Sequence, residues 1–143
     1  MSAVYILIPL LPLLASIIIT LAGRWLGEAS GKVGVLAIGI SFGLSVLAFA
    51  ELVWGNEPLS IPLYQLFHSG NFTVDLGLHL DQLTVLLLLL ITGVSFVVHV
   101  YSARYMIGDA RYSRFFAVMA LFTFAMVTLV MSSNLLMIFI CWE

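Results

Sequence analysis

Long stretches without a formal charge dominate this chain: Ala3 to Ala22, Val33 to Ala50, Leu83 to Ala103 and Phe115 to Met131. Each falls within the ~17–25 residues that a helix needs to cross a hydrocarbon layer of ~30 Å. In lipid every backbone polar group must be satisfied within the segment, so such runs fold as helices. Composition agrees. Of 143 residues, 63% are hydrophobic and 8% charged, against roughly 25% charged in a soluble domain. So little polar surface could not cover a soluble protein of this size. A fifth apolar run begins at Leu135 and reaches Glu143. The fold class is therefore an all-α membrane protein: a transmembrane helix bundle of four full helices plus half of a fifth. It reads as a single membrane domain over 1–143.

Pro9 and Pro12 lie in the first half of the first run. Proline removes a helical hydrogen bond and is tolerated where a neighbour satisfies the freed carbonyl. No Lys or Arg precedes this run and no small-x-small cleavage site follows it, so a secretory signal peptide is not expected. The net charge of −2 gives no reason to expect nucleic acid as a partner. The one cysteine, Cys141, excludes an internal disulfide framework or a cysteine metal site.

The basic residues set an orientation. Arg24 and Lys32 lie between the first two helices, and Arg104, Arg111 and Arg114 at the connection between helices three and four; together they are all five Lys and Arg of the chain. Loops rich in Lys and Arg stay on the cytoplasmic side. The N-terminus and the segment 55–80 are then expected outside, in a multi-pass protein of a bacterial inner membrane or its equivalent. Within that segment, "NFTVDLGLHLD" alternates apolar Phe72, Val74, Leu76, Leu78 and Leu80 with Thr73, Asp75, Gly77 and His79. Period-two alternation is that of a half-buried strand. "HSGN" before it reads as a turn and "IPLYQLF" as a partner strand. The sequence predicts an external β-hairpin; an irregular loop is the alternative.

Candidate chemistry is sparse. "SSN" reads as a tight connection after Met131, with Ser133 or Asn134 suited to cap the next helix. From Asn134 to Glu143 the rise is about 13.5 Å, near half the hydrocarbon thickness. Glu143 then stands near the midplane, where an ionisable group costs roughly 2.5–3.5 kcal/mol unless paired or hydrated and usually serves an ion or proton path. The alternative is a re-entrant helix with Glu143 in water. Thr92, Ser95, His99 and Ser102 recur at helical spacing and form one polar stripe on the third helix. It reads either as a proton or water path with His99 titrating, or as interhelical hydrogen bonding. Asp81 reads as the N-cap of that helix. Gly39 and Gly43 have the GxxxG spacing that admits close helix approach. There is no glycine-rich phosphate loop, no metal-ligand cluster and no nucleophile beside a base, so no cofactor is expected in this chain.

The stretch from "LHLDQLT" through "YSARYM" and "GDARYSRFFA" to "NLLMIFICWE" resembles the start of the large antiporter-like subunit of complex I (NuoL in bacteria, NdhF in chloroplasts). That family is related to Mrp-type cation/proton antiporter subunits. "YSRFF" favours the complex I branch. The resemblance covers essentially residues 78–143, and the earlier helices and hairpin agree in layout. It implies an N-terminal piece of a proton-translocating subunit of a complex I-like NADH:quinone oxidoreductase, among other membrane subunits and driven by redox chemistry elsewhere. It further implies that Glu143 is the protonatable residue of the fifth helix, acting with a lysine two helices later. His99 is a candidate relay. The other readings are an Mrp-type antiporter subunit, a membrane subunit of a hydrogenase or inorganic-carbon pump, and a structural helix module without transport.

Overall fold

The computed structural model describes residues 2–55, 57–69 and 72–143. A short helix α1 (Ser2–Tyr5) leads into α2 (Leu7–Leu26), followed by α3 (Ala29–Val53). The hairpin strands β1 (Leu59–Ser69) and β2 (Phe72–Leu80) come next, then α4 (Gln82–Tyr105), α5 (Tyr112–Met131) and the shorter α6 (Leu135–Trp142). Helices α2 to α5 are each long and apolar enough to span a membrane. The first expected helix is divided at Ile6. Pro9 has no N–H for the Tyr5 carbonyl, so the helix is interrupted one turn before it.

The helix ends differ from expectation on the basic side. Arg24 and Arg104 sit in the last turns of α2 and α4, and Lys32 and Arg114 in the first turns of α3 and α5. Arg111 alone of the five basic residues lies outside a helix, as the N-cap of α5. Backbone hydrogen bonding continues past the apolar run, since a long basic side chain can carry its charge to the headgroup zone from a residue that is still helical. The α2–α3 connection is thereby reduced to Gly27 and Glu28. Gly27 adopts φ 49° and ψ −122°, a positive-φ backbone open to glycine and rare for other residues.

In the bundle α2 packs against α3 and α5, α4 against α3 and α5, and α6 against α5. The apolar interior forms two clusters. One lies under the hairpin and includes Ile8, Leu52, Leu80, Val85, Leu88 and Met131. The other lies at the basic end, around Ile19, Tyr112, Phe116 and Ala117. Leu36, Leu90, Val97 and Phe122 face outward, as a lipid-facing surface requires. The freed carbonyl expected from Pro12 belongs to Ile8, and Ser41 Oγ of α3 donates to it at 3.1 Å.

Glycine and aromatic residues interlock α3 with α4. A Cβ on Gly39 would stand 3.0 Å from the Phe96 ring, and one on Gly93 would stand 3.1 Å from the Phe42 ring. The two rings stack with centroids 6.1 Å apart. Gly43, the second glycine of the GxxxG spacing, has open space around it. Its neighbour in the motif thus receives an aromatic ring instead of a close backbone crossing.

The hairpin is antiparallel, from Leu59 opposite Leu80 to Ser69 opposite Phe72, with bulges between Pro62 and Tyr64 and between Gln65 and Phe67. The tip of the expected "HSGN" turn, Gly70 and Asn71, lies outside the described residues. Leu78 and Leu80 are buried and His79 between them is part-exposed, so the alternation sets the faces at this end of β2. The far edge of β2 meets the α5–α6 connection. Leu78 bridges Ser132, and the Ser133 N–H and hydroxyl both donate to the Gly77 carbonyl, at 3.2 and 3.0 Å. Asn134, not Ser133, caps α6: its side chain accepts from the Leu136 N–H at 3.1 Å.

Candidate functional site

Asp81 is the N-cap of α4, with Oδ1 accepting from the Thr84 N–H at 2.7 Å. That hydrogen bond holds the carboxyl below its ordinary pKa, with His79, 4.0 Å away, adding to the effect. A cap that starts α4 directly after β2 fixes the helix rotation, and with it the direction of the polar stripe. Thr92, His99 and Ser102 are buried and Ser95 is half-buried. The stripe faces the bundle, as a polar stripe in lipid should.

His99 is 1% exposed. Its Nδ1 lies 2.8 Å from the Ser95 carbonyl, which can only accept, so Nδ1 carries the proton. The Nε2 lone pair is then free to take a proton. Nε2 is buried with no hydrogen-bond partner; it lies 3.9 Å from where a Cβ on Gly34 of α3 would stand, and the Phe116 ring centroid is 5.9 Å from the imidazole. A Cβ at Gly34 would come within 3.3 Å of both rings.

Ser95 Oγ lies 2.6 Å from Thr123 Oγ1 of α5, and the Thr123 hydroxyl is 3.0 Å from the Met119 carbonyl. With the Thr123 proton given to that carbonyl, Ser95 donates to Thr123 and joins α4 to α5. Thr92 Oγ1 donates to the Leu88 carbonyl of its own helix at 2.6 Å. A carbonyl has no proton to pass on, so these hydroxyls act as interhelical and intrahelical ties. Among the stripe residues, His99 is the one whose geometry leaves a proton-accepting atom free.

Glu143 follows the last turn of α6, its N–H bonded to the Phe139 carbonyl at 3.1 Å, and its side chain is exposed on the bundle surface. The α6 segment "LLMIFICW" carries no charge. No hydrogen bond or ion pair joins Glu143 to His99 among the described residues. Polar partners on the other helices were not anticipated from the sequence. Ser16 Oγ donates to the Ala117 carbonyl at 2.9 Å, Ser45 Oγ to the Ser41 carbonyl at 2.9 Å, and Thr128 Oγ1 is buried without a partner. The four-residue spacing of Ser41 and Ser45 is the signal that marks such a buried polar face. Among the described residues no group of His, Cys, Asp or Glu is placed to hold a metal.

Four helices long and apolar enough to cross a membrane, packed around buried hydroxyls and one buried histidine, define a multi-pass membrane protein. The chain belongs to the antiporter-like chain 5 family of complex I and aligns with its N-terminal part. A family profile described as NADH-ubiquinone oxidoreductase (complex I), chain 5 N-terminus, matches residues 66–116. The chain is 41% identical over 140 residues to NADH-ubiquinone oxidoreductase chain 5 of Chondrus crispus, covering 97% of this chain and 21% of that protein. It is 38% identical to the protein of the same name from Neurospora crassa, covering 97% and 20%. It is 37% identical to NADH-quinone oxidoreductase subunit L of Escherichia coli, covering 94% and 22%. The chain thus spans about a fifth of the length of these relatives.

Proposed function

We propose that this chain forms the N-terminal transmembrane part of a proton-translocating subunit in a complex I-like NADH:quinone oxidoreductase, with Glu143 as its protonatable centre and His99 as a relay. The observation that carries the reading is the position of Glu143. It stands about 13.5 Å of helical rise beyond the Asn134 cap, on a helix with no other charge that packs along the membrane-spanning α5. A carboxyl at that depth takes and releases protons as the charge beside it changes. His99 supports the relay role through its free Nε2. The basic residues at one end of the bundle support an inside-facing basic end, with the hairpin and N-terminus outside. The relatives' names, which refer to NADH and ubiquinone or quinone, favour redox-driven transport over the antiporter reading, and other membrane subunits of such an assembly are the expected partners.

The test is Glu143→Gln in the assembled complex, reconstituted in proteoliposomes. Proton pumping per NADH oxidised should fall severalfold while electron transfer with an uncoupler persists. Unchanged pumping would leave a structural helix module as the better account, and transport that requires sodium would favour the antiporter.

A further inference from the structure

At the basic end, α2 and α5 border an open groove of about 550 Å³. Arg24 from α2, Arg114 from α5 and Arg111, the residue that precedes α5, line it. No carboxylate lines it. Asp109, the acid nearest in sequence, instead accepts the Arg111 backbone N–H at 2.7 Å. The approach of the two helices is built in: a Cβ on Gly23 would stand 2.9 Å from Ser113 Cβ, and Ser113 Oγ donates to the Gly23 carbonyl at 2.9 Å. Residues some ninety positions apart are thereby held at one groove. Below the arginines the wall is Ile19, Ala117 and Val118, and Val118 is exposed. At the start of α5 the Tyr112 N–H is already taken by the Asp109 carbonyl at 3.2 Å, so the arginine side chains supply the groove's positive charge.

We propose that this groove binds an anionic phospholipid, its phosphate among Arg24, Arg111 and Arg114 and an acyl chain along Val118. Charge selects the occupant: three guanidinium groups that form no ion pair among the described residues recognise phosphate oxygens, often bidentately. Depth selects a lipid over a soluble anion, because the arginines end the helices at headgroup level while the wall continues into hydrocarbon. The groove between α3 and α4 at the same end is different, with Glu28 beside Lys32 and Arg104, and serves as an internal control.

The full chain, reconstituted in phosphatidylcholine bilayers at low salt, would be probed with spin-labelled phosphatidylglycerol and spin-labelled phosphatidylcholine. The motionally restricted fraction should favour phosphatidylglycerol. The triple variant R24Q/R111Q/R114Q should reduce that preference about fivefold or more, whereas K32Q/R104Q should retain it. Val118→Trp keeps every charge and fills the groove, and it should reduce the preference as well; it decides the matter if the triple variant does not fold. A preference that survives both groove variants, or that falls equally in K32Q/R104Q, would overturn the proposal. So would displacement of the lipid by tens of millimolar inorganic phosphate, which would make the groove a site for the free anion.

Discussion

Ser41 and Pro12 illustrate how a single side chain makes an unfavourable residue acceptable in lipid. Pro12 leaves the Ile8 carbonyl without its helical donor, and the Ser41 hydroxyl takes that place. Ser41→Ala should therefore destabilise the bundle by about 0.5–1.5 kcal/mol. In a Pro12→Ala background, where the backbone N–H returns, the same change should cost close to nothing. A double-mutant cycle in reversible detergent unfolding measures the coupling, and equal costs in both backgrounds would refute it. Asp81 allows a second test. Its folded-state pKa is depressed by the Thr84 N–H. Its contribution is then complete above the ordinary value of 3.8 and lost as pH falls through the lower folded value. Asp81→Ala should cost about 1 kcal/mol at neutral pH and progressively less in acid. Hydrogen exchange at the start of α4 reports it. The Asp81 cap was legible in the sequence, because a carboxylate before an apolar run has few other uses. The Ser41 bond was not: a proline announces that a carbonyl is free but not which helix answers it.

Among the elements, the helices were readable because lipid permits so little else for twenty apolar residues, and the hairpin because alternation has one structural meaning. On the basic side the helices run past the apolar residues to include Arg24, Lys32, Arg104 and Arg114, because a charged head in the headgroup zone is compatible with a helical backbone. Helix pairing was largely hidden, since it depends on glycines that receive rings. Gly31 is the clearest case. The Tyr112 hydroxyl sits where its Cβ would be and donates to the Ala103 carbonyl at 2.9 Å, tying α3, α4 and α5 together at the basic end. Gly31→Ala should cost about 1–3 kcal/mol through displacement of that ring. The penalty should shrink in a Tyr112→Phe background, where the clashing hydroxyl is gone. Thermal unfolding of the four variants measures this, and additive effects would contradict the contact.

At the scale of the whole molecule, the bundle has a clamped hairpin end and an arginine-rich end opposite it. The α5–α6 connection is held to β2 through Gly77 and Ser133, so the start of α6 is set by the hairpin, and the depth proposed for Glu143 is the helix rise counted from that point. The polar stripe of α4 was legible as a stripe, but its division into tying hydroxyls and one histidine with a free nitrogen depends on α3 and α5 neighbours that no sequence period encodes. The account rests on the depth of position 143. A nitroxide placed there by Glu143→Cys in a Cys141→Ser chain, reconstituted in bilayers, gives that depth from its collision rates with oxygen and with a water-soluble nickel chelate. High oxygen and low nickel accessibility, near the bilayer centre, is the expected result; nickel accessibility at headgroup level would mean that α6 returns to the surface and that its carboxylate stands in water.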